Sequence, residues 1–94
     1  MATKKTPDWL KEGEGFTDIT LSRPLDVAGS KVSTVRMREP LVRDQTAIKK
    51  MDADAEEKEI ALFANLCGLV PDDLDAMPMK DYSRLQTAYM AFIA

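Results

Sequence analysis

Three features of this sequence could in principle do chemistry: a cysteine, two runs of carboxylates and a pair of closely spaced glycines. Cys67 is the single cysteine. A cysteine nucleophile acts as the thiolate and needs a neighbouring base or cation to form it. The sequence has no histidine, which removes the commonest general base, the commonest metal ligand and the commonest pH switch near neutrality. Cys67 also falls on the apolar stripe of a predicted helix, where free cysteine is a small buried hydrophobe. The carboxylates gather as Asp52, Asp54, Glu56 and Glu57 and again as Asp72, Asp73 and Asp75. Acid–base catalysis needs a cleft that drives the pKa values of such groups apart. These runs lie in hydrophilic connections and helix starts, where a solvated face is the ordinary outcome. The stretch from Asp52 to Glu59 lacks the glycine at the sixth position of a calcium-binding EF-hand loop. Gly13-Glu14-Gly15 reads as a flexible joint and not as a phosphate-binding loop. The expectation is therefore no catalytic residue, no metal and no cofactor.

Nucleic acid is a weak fit on charge. The chain carries 13 Lys/Arg against 16 Asp/Glu, a net of −3, whereas nucleic-acid binders show a basic balance or stripe. The halves differ: residues 1–50 hold 10 basic and 7 acidic residues, and residues 51–94 hold 3 and 9. Such asymmetry permits head-to-tail self-association or docking of a basic partner on the C-terminal half. Two helices separated by Gly68 to Pro78 could adopt the shape of a helix-turn-helix. Its recognition helix would carry only Lys80 and Arg84 as cations, beside Asp81, too few for the phosphate contacts that dominate DNA affinity. Arg36, Arg38 and Arg43 are the other basic cluster, and a small one. The alternative kept open here is a small acidic transcriptional regulator or antitoxin-like nucleic-acid-associated protein.

The elements follow from periodicity. With 94 residues there is room for one small domain with a thin core. No apolar run approaches the roughly 20 residues of a membrane span, and no secretory signal is evident at the N-terminus. The lone cysteine excludes an internal disulfide framework and suits a reducing cytoplasm. Residues 1–15 read as a flexible tail in which Trp9 either anchors a partner or folds back on the domain. Residues 16–23 and 31–38 alternate as strands, with Ile19, Leu21, Val35 and Met37 inward and Ala28-Gly29-Ser30 as the turn between them. Pro24 is expected to end or interrupt the first strand. A helix over 41–51 should turn Ala47, Ile48 and Met51 inward, with Asp44 at its start.

Asp54 and Glu57 are spaced as a capping box for a helix over 55–67, which Gly68 should end. Ile60, Phe63, Ala64 and Cys67 form its stripe, widened by Leu62 and Leu66. One turn over 72–77 buries Leu74 and Met77, and residues 79–93 make the clearest helix, with Asp81 in its first turn. The predicted architecture is α+β: an N-terminal β-hairpin followed by three to four short helices, all within a single domain over 16–94. Its expected core is Ile19, Leu21, Val35, Met37, Ile48, Ile60, Phe63, Cys67, Leu74, Leu85 and Tyr89.

The last helix carries the candidate partner-binding residues. Tyr82, Leu85, Tyr89, Phe92 and Ile93 share one side, with Met79, Met90 and Ala91 on the flank. That apolar arc is broader than a thin core can cover, and exposed apolar patches mark interaction sites. Methionine suits a surface that accepts varied partners. The expected contact residues are Tyr82, Leu85, Tyr89, Met90, Phe92 and Ile93, and the same helix is expected to take part in self-association.

The order of features resembles a known family. Ile19-Thr20-Leu21-Ser22-Arg23-Pro24 is followed by Gly29, then by Val35-Arg36-Met37-Arg38-Glu39-Pro40 and Asp44. Then come Glu57 to Leu62, Leu66-Cys67-Gly68-Leu69, Pro71-Asp72-Asp73-Leu74, Met77, Asp81-Tyr82, Leu85-Gln86, Tyr89 and Phe92. This ordered set, over residues 19–93, resembles the small tail assembly chaperones of Mu-like and related contractile-tailed phages and prophages. The resemblance implies a non-enzymatic protein that binds the tape measure protein before the tail tube polymerises around it. It implies a location in the host bacterial cytoplasm and absence from the mature virion. It also implies, for many members, a frameshifted longer form. The N-terminal segment with Trp9 is not part of that pattern.

Overall fold

The computed structural model describes residues 6–94. Its elements are β1 (Leu10–Gly13), β2 (Phe16–Val27), β3 (Ser30–Arg38), α1 (Val42–Lys49), α2 (Ala55–Cys67), α3 (Pro71–Asp75) and α4 (Met79–Ile93). The strands form one antiparallel sheet in the order β1-β2-β3. Helix α2 lies against β3 and α4 against β2, so the fold is α+β, as the periodicity indicates.

The sheet has one strand more than a hairpin. The reading of residues 1–15 as a tail is corrected over Leu10–Gly13, which pairs with β2 from Leu10↔Ile19 to Gly13↔Phe16. Backbone pairing and one buried side chain, Leu10, offset the ordering cost that the polar composition suggested would prevail. Glu14-Gly15 is thus the turn of this hairpin. A Cβ on Gly13 would lie 2.3 Å from the Phe16 ring, so any larger residue there would displace that ring. Residues 1–5 of the expected tail lie outside the described residues.

Strand β2 also runs past its expected end at residue 23. Pro24 does not stop it, because the proline falls in a wide irregularity where no ladder hydrogen bond is demanded of it. Thr20 pairs with Thr34 and Leu25 with Val32, so the stretch Leu21 to Pro24 stands opposite Ser33 alone. The ladder then resumes and closes at Ala28-Gly29, whose φ angles are 51° and 85°. Two successive residues at positive φ make the tight turn that matches strand twist. Thr17, Ile19, Leu21 and Leu25 of β2 and Val35 and Met37 of β3 face the core. On the other face, the Arg36 guanidinium pairs with Asp18 at 2.8 and 3.0 Å and lies over the Phe16 ring.

The helices close the core. In α2 the Glu57 N–H donates to Asp54 at 2.8 Å and the Asp54 N–H donates to Glu57 at 3.2 Å, the reciprocal capping box. Gly68 ends the helix at φ 68°. Its buried residues are Leu62, Phe63, Ala64 and Leu66. The helix is rotated toward Leu62 and Leu66, which leaves Ile60 and Cys67 half-buried and not in the core. Tyr89 and Ile48 are likewise half-buried. Helix α1 is shorter than expected, and Asp44, in its first turn, caps its start by accepting from the Leu41 N–H. Asp44 and Ile48 mark the inward line, Ala47 lies to one side and Met51 lies past the helix end, so both are exposed. Leu74 and Met77 are buried as expected, and Leu85 and Ala88 complete the core from α4.

Candidate interaction surfaces

The irregularity in β2 positions α4. It lifts the Ser22 N–H out of the ladder, and the carboxylate of Asp81 receives it. Asp81 is completely buried; one oxygen accepts from the Ser22 N–H at 2.7 Å and the other from the Ser22 hydroxyl at 3.0 Å. One turn on, Arg84 donates to the Thr20 carbonyl at 2.6 Å, and its guanidinium stands 5.0 Å from the Trp9 ring centroid. Trp9 therefore folds back on the domain through its ring face. The Tyr82 hydroxyl and the Gln86 amide both donate to Glu59 Oε1, at 2.5 and 3.0 Å. Burial, and then the Glu59 carboxylate, push the Tyr82 phenol above its ordinary range. Tyr82 and Tyr89 flank Phe63, with ring centroids 5.7 and 5.3 Å away. The sequence placed Asp81 only in a helix first turn, and nothing in the spacing announced a partner in β2.

The end of α4 differs. Met90 and Ile93 are 59% and 53% exposed, and neither side chain has a polar anchor beside it. A depression of about 200 Å3 at this end is walled by Leu41, Val42, Leu62, Tyr89 and Ile93. Another of about 400 Å3 lies between β1 and α4, against Leu10, Thr87, Met90 and Ala91. Among the six candidate contact residues, Leu85 is completely buried and serves the core. Tyr82, Tyr89 and Phe92 are half-buried against it, and Met90 and Ile93 offer free surface.

A third hollow escapes sequence reading because three separate segments build it. It lies between α2, α3 and α4, has a volume of about 440 Å3, and is lined by Ile60, Leu74, Met77, Met79 and Tyr82 with Glu56, Glu59 and Asp75. The one signal for it is the acidic excess of the C-terminal half.

Polar chemistry elsewhere is largely committed to structure. Burial pushes the Cys67 thiol up to about 12, so it stays protonated at neutral pH. Arg38 grips Asp44 through two bonds of 2.7 and 2.9 Å, and the Leu41 N–H donates to the same carboxylate at 2.8 Å. Arg38 first, then that N–H, hold the Asp44 carboxyl down at about 2. Asp73 accepts from the Val70 N–H at 3.0 Å. Of the cations weighed for phosphate contact, Arg36, Arg38 and Arg84 all have internal partners.

The family model described as "Phage tail assembly chaperone proteins, E, or 41 or 14" matches residues 18–94. No curated protein and no solved structure matches. The matched span takes in Ser22, Asp81 and everything between, and leaves β1 outside. The chain belongs to this phage tail assembly chaperone family.

Proposed function

We propose that this tail assembly chaperone binds the tape measure protein of its phage and keeps it soluble until the tail tube forms around it. The observation that carries the reading is the unpartnered apolar end of α4, where Met90 and Ile93 are both more than half exposed. A long helical client presents amphipathic surfaces, and such surfaces dock apolar stripe against apolar stripe. Weak contacts repeated along one client add through effective concentration, so self-association of the chaperone on its client belongs to the same proposal. So do action in the host bacterial cytoplasm, absence from the finished virion and a frameshifted longer form that shares this domain. No covalent step is required, and the residues near the surface provide none.

Co-expression with the tape measure protein encoded in the same genome tests the proposal. The expected result is a tape measure protein that becomes soluble and co-purifies with this chain. A tape measure protein that stays insoluble and unbound would overturn it.

A further inference from the structure

We propose that copies of this chain associate head to tail, with α1 of one copy seated in the acidic hollow of the next. The inference does not depend on which client is bound: the hollow is separate from the end of α4, and the other face, at Leu41 and Val42, borders Ile93.

The hollow between α2, α3 and α4 has apolar walls that include Leu74, Met77 and Tyr82, with the carboxylates of Glu56, Glu59 and Asp75 beside them, and no Lys or Arg lines it. Met79 is 79% exposed at its mouth. Neither Glu56 nor Asp75 forms an ion pair among the described residues, and Glu59 Oε2 is left without a hydrogen-bond partner among them. Apolar walls with carboxylates beside them ask for an apolar knob flanked by cations. Methionine supplies a wall that adapts to the knob.

The same chain carries such a knob. Val42 is 85% exposed and Leu41 43% exposed at the start of α1. Lys49 lies seven residues beyond Val42 on the same stripe, and Arg43 is adjacent to it. Both cations are exposed, and neither forms an ion pair among the described residues. The one carboxylate of α1, Asp44, is buried under Arg38, so the outer face of the helix is positive. Charge complementarity across an interface sets register and excludes the reversed arrangement. Because hollow and knob are different surfaces, each contact leaves one of each free, and the assembly extends as a chain or closes as a ring.

Sedimentation equilibrium of the full chain at about 50 and about 500 mM NaCl tests the proposal, since salt screens such pairs. The expected result is a weight-average mass above that of one chain at low salt that falls toward it at high salt. Glu56→Lys with Asp75→Lys, and separately Arg43→Glu with Lys49→Glu, should each sediment as single chains. An equimolar mixture of the two should associate again, because each reversed face now meets its complement. Val42→Asp places an acid where a helix start accepts one; it should also abolish association, and it stands in should either double variant fail to fold. A wild type that is a single chain at low salt would overturn the proposal. So would charge variants that associate as the wild type does, or folded variants whose mixture stays dissociated.

Discussion

The two halves of α4 are held by different chemistry. Its first two turns are tied to the sheet and to α2 by Asp81, Tyr82 and Arg84, each with a named polar partner. Its last turns are held by apolar packing of Tyr89 and Phe92 on the core, with Met90, Ala91 and Ile93 left exposed. One half fixes where the helix lies, and the other is left to be covered. Of the residues through which the chain resembles its family, Ser22, Arg38, Asp44 and Asp81 are joints of the fold. Those residues set the architecture, and exposure marks out the surface proposed for contact.

Phe63 touches Tyr82 in one half and Tyr89 in the other, so its loss should affect both. Phe63→Ala is expected to cost about 3–5 kcal/mol, a large share of the roughly 5–15 kcal/mol that holds a small domain folded. Chemical denaturation measures it, and a midpoint close to wild type would remove Phe63 from the centre of the packing. Asp81→Ala comes next. It leaves the Ser22 N–H and hydroxyl without their acceptor in a part-buried contact, at about 1–2 kcal/mol. Combined with Ser22→Ala it should cost less than the two changes summed. A loss no larger than an ordinary surface change would mean that the first half of α4 is not anchored there.

The Arg38–Asp44 joint is smaller in effect and shows itself through pH. The Asp44 carboxyl is held at about 2 in the folded chain, below its unfolded value. Its contribution is therefore complete above about pH 4 and is lost as pH falls toward 2. Arg38 is 41% exposed, so solvent screening reduces the contribution to about 1 kcal/mol. Thermal melts from pH 5 to 2 should show the decline, and Arg38→Met should flatten it. An unchanged acid limb in that variant would dissociate the joint from stability.

Local rules explain what was legible. The capping box Asp54–Glu57, the stop at Gly68 and the alternation from Thr17 to Leu21 each depend on neighbours within a few residues, and each appears where the sequence puts it. The strand at Leu10–Gly13 was not legible, because it has a single buried side chain and is held by backbone bonds to Phe16–Ile19. The run of β2 through Pro24 was hidden for a related reason: the irregularity that tolerates proline is also the one that serves Asp81, 59 residues away. The charged joints were equally silent, since Asp44 and Asp81 read as helix-start acids until their partners are known. At the candidate surface the six residues of α4 were identified by face alone. Face does not distinguish Leu85, completely buried, from Ile93, 53% exposed.

The free half of α4 should show the smallest effect on stability and the largest on binding. Met90→Lys with Ile93→Lys alters exposed positions in a last helical turn that accepts cations, so the double variant should melt within about 0.5 kcal/mol of wild type. Co-expressed with the tape measure protein, it should nevertheless fail to keep that protein soluble or to co-purify with it. A folded double variant that captures the tape measure protein as well as wild type does would contradict the assignment of this surface to the client.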